Sequence, residues 1–292
     1  MNKGAVPAAA APERFVIFDC NGDACVGVLA TPAAAKNPPR LGIVIVVGGP
    51  QYRVGSHRHF ALLARALARE GFPAFRFDYR GMGDSEGEAR TFESVRDDLA
   101  AAIDALRRET GVAKVVLWGL CDGASAALMY AASDTRVAAL VAVNPWVRSP
   151  HAEASARLKH YYLRRLTSLA FWRKILSGKF DIGRSAGSLA GDLRDAASPA
   201  VKAAAPGYLQ RMHDGWTRFS RPVLFLLSGS DLTAREFEGW VAADRQRADL
   251  FRGPTSELTA FAGSDHTFSS SAWRDAVNER TIEWIGRISP RC

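Results

Sequence analysis

Residues 119–123 read Gly-Leu-Cys-Asp-Gly and place one cysteine between two glycines. An apolar run, residues 115–118, precedes them, and residues 124–132 have a helical pattern. A tight strand-to-helix turn exposes its central side chain, and glycines flank it because a Cβ there would collide with neighbouring backbone. The amino end of the helix also favours a thiolate. We therefore interpret Cys121 as a nucleophile for acyl transfer, with a small buried hydrophobic residue as the alternative.

The turn resembles the nucleophile elbow of α/β-hydrolases, in which cysteine variants such as the dienelactone hydrolases have the chain order Cys, Asp, His. This resemblance implies an acid after the next-to-last main strand and a histidine after the last one. Asp231 directly follows the apolar run 223–227, and His266 follows the strand pattern 257–261. A helix N-cap is the alternative role for Asp231. Asp265 is next to His266 and is expected to cap the loop instead of serving as the acid, because adjacent side chains on a turn usually point apart.

Acyl transfer also requires two backbone donors for the developing oxyanion, and one of them belongs to the residue after the nucleophile, Asp122. The other donor comes from the loop after the first buried strand, where residues 48–50 read Gly-Gly-Pro. This loop resembles the H-G-G-P oxyanion loop of proline iminopeptidase-like hydrolases, with Val47 in place of His. The resemblance implies the N–H of Gly49, and Gln51 is the alternative if the register differs.

Strand and helix patterns alternate along most of the chain, and this order would position the three loops. Residues 14–20 and 25–31 form two short strand patterns joined by Asn-Gly-Asp, which favours a hairpin. Residues 41–47 form a continuous apolar run, typical of a strand buried on both faces. The later alternation is that of βαβ units. With the resemblance, it predicts an α/β-hydrolase fold with a mostly parallel eight-stranded sheet, helices on both faces and an inserted helical cap.

The segment from about residue 145 to residue 220 interrupts this alternation and is predicted to be the cap. The whole chain has 38 basic and 30 acidic residues. Residues 148–220 contain 13 of the basic and 5 of the acidic ones, so this stretch accounts for the entire net charge of +8. An anionic substrate or a solvated helix face would each explain the excess. Residues 1–13 are predicted to be a disordered tail, and residues 14–292 a single domain.

Several classes of protein receive no support from the sequence. No apolar run approaches the roughly 20 residues that a membrane-spanning helix needs. The four cysteines have no metal-ligand spacing, so we expect no metal, no cofactor and a reducing cytoplasmic location. The basic residues form no recognisable nucleic-acid-binding motif. The oligomeric state is left open.

Four segments together resemble one family more closely: GGPQYRVGSHR, FDYRGMGDS, GLCDG and GSDH. They are similar to the exosortase A system-associated hydrolases of type 1, which occur in bacteria with exopolysaccharide and protein-sorting loci. This resemblance implies the fold and a Cys-His-Asp triad and leaves the substrate open. In the second segment we interpret the glycines as a tight turn, and Asp78 with Arg80 as a supporting ion pair.

These observations predict a hydrolase, esterase-like or thioesterase-like, that cleaves an ester, thioester or related activated acyl bond through an acyl-cysteine. Cys121 would attack, His266 would transfer the proton and Asp231 would orient the imidazole. The alternatives are an acyltransferase to a sugar or lipid hydroxyl and a non-catalytic binding protein on a hydrolase scaffold. The substrate is expected to be a small acyl compound, with an anionic one as an option. The predicted substrate-binding residues are Tyr52, Arg53, His57 and Trp146.

Overall fold

The structure is a computed structural model, and it describes residues 11–33, 41–49, 51–148 and 207–289. Contacts between Cα positions divide the chain into two units. One consists of Met1–Val147 with Tyr208–Cys292, and the other of Arg148–Gly207. Almost all of the second unit, and with it most of the predicted cap, lies outside the described residues.

One sheet of eight strands forms the centre of the first unit. The strands are β1 Glu13–Cys20, β2 Asp23–Ala30, β3 Leu41–Val46, β4 Ala74–Phe77, β5 Lys114–Leu120, β6 Val137–Val143, β7 Val223–Ser228 and β8 Ser256–Phe261. In space they are ordered β1-β2-β4-β3-β5-β6-β7-β8. β1 and β2 pair antiparallel, as do β2 and β4, and every other neighbouring pair is parallel. The predicted mostly parallel eight-stranded sheet is therefore confirmed.

Helices cover both faces of this sheet, as predicted. Every residue of β3 is buried, because alternate side chains point to opposite faces of the sheet and helices cover both faces. The α-helices are α1 His59–Arg69, α2 Arg96–Thr110, α3 Asp122–Tyr130, α4 Tyr208–Arg218, α5 Leu232–Ala242, α6 Arg245–Arg252 and α7 Ser271–Ile288. Val44 and Val46 pack in a cluster with α2 and α3, whereas Ile43 and Ile45 pack in a second cluster with α1 and α7. None of the helices in the described ranges is long and apolar enough to cross a bilayer.

The end of the predicted disordered tail belongs to the folded unit. Ala11 is buried, and the carbonyl of Pro12 accepts a hydrogen bond from the Thr31 N–H at 3.0 Å. β1 begins at Glu13, whose carboxylate binds the guanidinium of Arg76. The tail prediction is therefore wrong for residues 11–13, because they extend the pairing of the first hairpin. Residues 1–10 lie outside the described part.

The carboxyl end of the predicted cap is also part of the first unit. α4 packs against α3 so closely that a Cβ on Gly215 would lie 2.3 Å from the carbonyl oxygen of Leu128. Met212 and Trp216 are buried in the same cluster as α2 and α3. The predicted boundary near residue 220 is therefore about a dozen residues too late. The sequence analysis included α4 in the cap because of its basic residues, and it did not identify the apolar side that the structure buries.

Candidate active site

Cys121 lies at a sharp turn between β5 and α3. Its backbone has φ 60° and ψ −126°, a conformation that is strained for any residue with a Cβ. The neighbouring backbone leaves no space for side chains on either side. A Cβ on Gly119 would lie 2.5 Å from the carbonyl oxygen of Gly123, and a Cβ on Gly123 would lie 2.6 Å from that of Val46. The two glycines therefore permit a turn that presents a half-buried thiol.

Two loops at the carboxyl edge of the sheet bring an acid and a histidine to this thiol. Asp231 follows β7 and His266 follows β8, and their Oδ2 and Nδ1 atoms are 2.7 Å apart. His266 is hydrogen-bonded to the carboxylate of Asp231, and it also interacts electrostatically with the side chain of Cys121. These two contacts raise the pKa of the imidazole to about 10. The structure thus brings together the three side chains that the sequence singles out, in the order sulfur, imidazole, carboxylate.

Asp231 has both of the roles that the sequence left open, because it binds the histidine and also caps a helix. Its side chain caps α5 by accepting hydrogen bonds from the N–H groups of Thr233 and Ala234, at 3.2 and 3.1 Å. Burial raises the pKa of Asp231, but the bond from His266 and the two backbone bonds outweigh burial and lower the net pKa. The carboxylate is therefore ionised at neutral pH. Asp265 instead accepts bonds from two N–H groups of its own loop, as predicted.

A buried polar contact that the sequence analysis did not identify holds the histidine loop. Asn144 ends β6 with φ 44°, and its Nδ2 donates to the carbonyl of His266 at 3.0 Å. The same amide group bonds the hydroxyl of Ser228 at 2.8 Å, and this hydroxyl donates to the carbonyl of Asp265 at 2.9 Å. The available signal was a polar residue at the carboxyl end of a wholly apolar strand, next to a proline.

The loop after β3 contains the predicted oxyanion donor, and a side chain already binds it. The N–H of Gly49 donates to Oδ1 of Asp122. The approach is close, because a Cβ on Gly48 would lie 2.5 Å from the same oxygen. Burial raises the pKa of the Asp122 carboxyl above its ordinary value, although N–H groups of Gly49 and Gly123 oppose that shift. The N–H group that the sequence predicts as an oxyanion donor is thus bound to an aspartate side chain.

Further contacts fix this loop in place. The hydroxyl of Tyr79 donates to the carbonyl of Val47 at 2.6 Å, and both groups are buried. The side chain of Gln51, the alternative donor, accepts a hydrogen bond from the Ser56 N–H at 2.9 Å. Gln51 therefore stabilises the turn that follows the loop.

The predicted pair of Asp78 with Arg80 is wrong, and both residues have other partners. Asp78 binds the guanidinium of Arg53 and accepts the Arg53 N–H at 2.7 Å. Arg80 forms two side-chain bonds of 3.0 Å to Asp98 on α2. The Asp78 side chain extends towards Arg53 and the Arg80 side chain towards α2, so the two do not contact each other. Arg53 also binds Asp84 and is buried, so an anionic substrate would have to compete with two carboxylates for it.

The other predicted substrate-binding residues differ in how far they are buried. Trp146 is half-buried, and its backbone N–H donates to the carbonyl of Cys121 at 3.3 Å. Its own carbonyl accepts a bond from the hydroxyl of Ser125 on α3 at 2.7 Å. Tyr52 is half-exposed, and His57 is exposed with a positive φ of 53°. Substrate contact by these side chains stays a prediction.

The family model described as the Alpha/beta hydrolase family matches residues 43–280. The chain therefore belongs to this family. The matched range includes the Cys121 turn, Asp231, His266 and the Gly48–Gly49 loop.

Two curated relatives share part of the sequence. The quorum-quenching protein AidA of Acinetobacter baumannii is 30% identical over 136 residues, which are 45% of this chain and 43% of that protein. The polyketide transferase grgF of a Penicillium species is 35% identical over 123 residues, 40% of each chain. The chain thus spans about two fifths of the length of the curated relatives it matches.

Solved structures support the fold at lower identity. The esterase Pf2001 of Pyrococcus furiosus superposes with a TM-score of 0.62 at 15% identity, covering 95% of this chain and 93% of that one. Est1E of Butyrivibrio proteoclasticus, solved with ferulic acid bound, has a TM-score of 0.61 at 18% identity over 93% and 98%. Both are similar to this chain in fold.

Proposed function

We propose that this protein is a hydrolase that cleaves an ester, thioester or related activated acyl bond through an acyl-cysteine. One observation carries the proposal: the imidazole of His266 is hydrogen-bonded to the Asp231 carboxylate and also interacts electrostatically with the side chain of Cys121. A base held between a nucleophile and an orienting acid is the arrangement that acyl transfer uses on many folds. A binding protein would have no need of it.

The first half of the reaction forms the acyl-enzyme. The thiol proton of Cys121 passes to His266, whose raised pKa of about 10 favours the imidazolium. The sulfur attacks the carbonyl carbon, and the electron pair of the carbonyl bond moves to the oxygen. When the tetrahedral intermediate collapses, the bond to the leaving group breaks and His266 gives the leaving oxygen or sulfur its proton. Asp231 stabilises the imidazolium throughout.

The second half releases the acyl group. His266, now neutral, accepts a proton from water, and the hydroxide formed attacks the thioester carbon. The carbon–sulfur bond breaks, the carboxylic acid leaves, and the thiol of Cys121 is restored. A thiolate leaves a tetrahedral intermediate more readily than an amine does, and this favours esters, thioesters and lactones over peptides.

The structural neighbour Pf2001 is an esterase, and Est1E was solved with ferulic acid bound, so both agree with a small acyl substrate. The narrower resemblance to exosortase A-associated hydrolases stays a prediction, and so does a link to exopolysaccharide. An anionic substrate is a further option.

The test is turnover of p-nitrophenyl esters of several acyl chain lengths by wild type, Cys121→Ala and Cys121→Ser. Wild type should hydrolyse at least one ester, and Cys121→Ala should release no nitrophenol above the uncatalysed rate. Quenched wild type should carry an acyl mass on the peptide that contains Cys121. Equal turnover by wild type and Cys121→Ala would remove the nucleophile assignment.

Alkylation with iodoacetamide near pH 8 is an independent check. Burial raises the pKa of Cys20 to about 12 and of Cys25 to about 11, so these thiols should stay unmodified in the folded protein. Peptide mass analysis should find the label on Cys121, with activity lost in step. Activity that survives complete labelling of Cys121 would contradict the proposal.

Acyl transfer to an acceptor other than water is a second candidate, favoured by the similarity to a protein named as a polyketide transferase. Adding glycerol or a sugar alcohol to the ester assay separates the two. A transferase should convert most of the acyl group into a new ester and release nitrophenol faster as acceptor is added. A hydrolase should yield free acid at an unchanged rate.

A further inference from the structure

The carboxyl group of Asp122 lies where the proposed reaction needs to bind an oxyanion. Its Oδ1 accepts the N–H of Gly49, the donor expected from the loop after β3. The N–H groups of Gly123 and of Asp122 itself also stabilise the charged carboxyl group at the amino end of α3. The N–H of Asp122 is the second expected oxyanion donor. The Gly49 donor is therefore bound to a carboxylate that belongs to the enzyme, and the N–H of Asp122 stabilises the same carboxylate.

The fit of this carboxyl group is built into the backbone around it. A Cβ on Gly48 would lie 2.5 Å from Oδ1 of Asp122 and 2.1 Å from the carbonyl oxygen of Leu120. The hydroxyl of Tyr79 holds the carbonyl of Val47 immediately before that glycine. The Gly48–Gly49 loop is thus shaped to receive the Asp122 side chain, and glycine at position 48 is what makes room for it.

This placement creates a conflict during catalysis. When Cys121 attacks, a negative charge develops on the substrate oxygen, and that oxygen requires the donors that Asp122 holds. An ionised Asp122 would then stand beside a second anion on shared donors, and two like charges at such a separation disfavour each other strongly. A neutral carboxyl group removes the conflict, because its O–H is a donor in its own right.

We infer that Asp122 is a resident ligand of the oxyanion hole, and that its carboxyl group must be protonated when the tetrahedral intermediate forms. This inference rests on the proposed function. As the carbon–sulfur bond forms, the new oxyanion takes the Gly49 N–H, and the Asp122 O–H turns to donate to the same oxygen. Asp122 keeps its proton, and the oxyanion loses both contacts when its electron pair re-forms the carbonyl.

The groups that face Asp122 decide whether its titration is visible. Burial raises the pKa of Tyr79, after β4, and of Tyr208, on α4, and the Asp122 charge raises both further. Both phenols therefore stay neutral below pH 9. His266 faces Asp122 from the loop after β8 and lowers its pKa, with its own pKa at about 10.

The experiment is the pH dependence of kcat/KM for p-nitrophenyl acetate between pH 4.5 and 9. Activity that needs a protonated group falls as pH rises through the pKa of that group. Wild type should therefore fall on the alkaline side, and Asp122→Asn, whose amide has no charge to lose, should lack this fall. At the alkaline end the variant should exceed wild type by about tenfold or more.

Two further variants separate this role from a structural one. Asp122→Ala also removes the charge and should lose the alkaline fall. If the side chain only clamped the loop, both variants would lose the same factor at every pH and keep the wild-type profile, which would overturn the inference. Asp249→Asn removes an exposed carboxylate on α6 and should match wild type throughout.

Alkylation distinguishes a failure of the inference about Asp122 from a failure of the proposal that Cys121 is the nucleophile. If iodoacetamide on Cys121 abolishes turnover while the profiles of wild type and Asp122→Asn superimpose, only the inference fails. If turnover survives complete alkylation, the nucleophile assignment fails and the inference with it. Loss of turnover together with the shifted profile supports both.

Discussion

The two sides of Cys121 are built differently. On the acid–base side, His266 binds Asp231 at 2.7 Å, and Asn144 with Ser228 fixes the loop backbone. On the oxyanion side, the Gly49 N–H is bound to Asp122. The first side has the arrangement that the proposed reaction uses, whereas the second must exchange a partner before the reaction proceeds. Proton transfer is thus preorganised and oxyanion binding is not.

Removing the base should have the largest effect on activity. His266→Ala should lower kcat/KM for a p-nitrophenyl ester by about 10³-fold or more, because general acid–base catalysis and thiol activation are both lost. Steady-state kinetics at pH 7 measures this. A loss of kcat/KM below tenfold would mean that the acid–base side contributes little to catalysis, and it would contradict the comparison of the two sides of Cys121.

Asp231→Asn should lower kcat/KM by about 10²-fold, because the amide cannot stabilise an imidazolium. Asparagine is also a good N-cap, so this variant should lose only the stability that the charged contact with His266 provides. Asp231→Ala should lose a similar factor in activity and should be about 1 kcal/mol less stable than Asp231→Asn, because it also loses the helix cap. Thermal denaturation beside kinetics separates the two roles. An equally destabilised Asn variant would contradict this separation.

Ser228→Ala should lower kcat by about tenfold with little change in KM, because His266 is positioned less well. It leaves the amide of Asn144 and the carbonyl of Asp265 with one partner fewer, at a cost of about 1–3 kcal/mol in stability. Ser228→Thr retains the hydroxyl and should restore most of kcat. A Thr variant as slow as Ala would point to packing rather than positioning.

The raised pKa of His266 predicts a pH-dependent contribution to stability. A folded-state pKa of about 10 against an ordinary 6.5 gives a contribution that is complete below pH 6.5 and is lost as pH rises towards 10. Urea denaturation of wild type and His266→Gln should therefore show a difference that shrinks across that interval. A constant difference from pH 6 to pH 10 would show that the imidazole is not paired as described.

The smallest effect is expected on the oxyanion side, from Tyr79→Phe. Loss of the hydroxyl leaves the carbonyl of Val47 unpaired in a buried position and should cost about 1–2 kcal/mol in stability. Because the Asp122 contact still holds the loop, kcat/KM should stay within about threefold of wild type. A loss as large as that of His266→Ala would show that the loop depends on Tyr79 instead.

Periodicity and turn chemistry were sufficient for the fold and for three loops. The continuous apolar run of β3 and the alternation after it led to the mostly parallel sheet, because a strand buried on both faces leaves that pattern in any sequence. Gly119 and Gly123 marked the turn around Cys121. The assignment of Asp231 and His266 required the family resemblance, since each was only a polar residue after a strand.

Side-chain partners were predicted less well. Asp78 and Arg80 are two residues apart and of opposite charge, yet Asp78 binds Arg53 and Arg80 binds Asp98. The contact of Asn144 with Ser228 joins residues 84 positions apart, and that of Gly49 with Asp122 joins residues 73 apart. No local pattern records pairings over such separations.

The sequence by itself determined which residues stand at the ends of strands, because burial and backbone conformation restrict residue type locally. It therefore placed Cys121, Asp231, His266 and the glycine loop at strand ends, and the family resemblance suggested their roles. Only the tertiary structure decided what those groups bind. The Asp231 carboxylate caps a helix and also binds an imidazole, and the Asp122 carboxylate binds the N–H of Gly49. Direction and distance between side chains depend on how distant strands align, and that alignment is a property of the whole sheet.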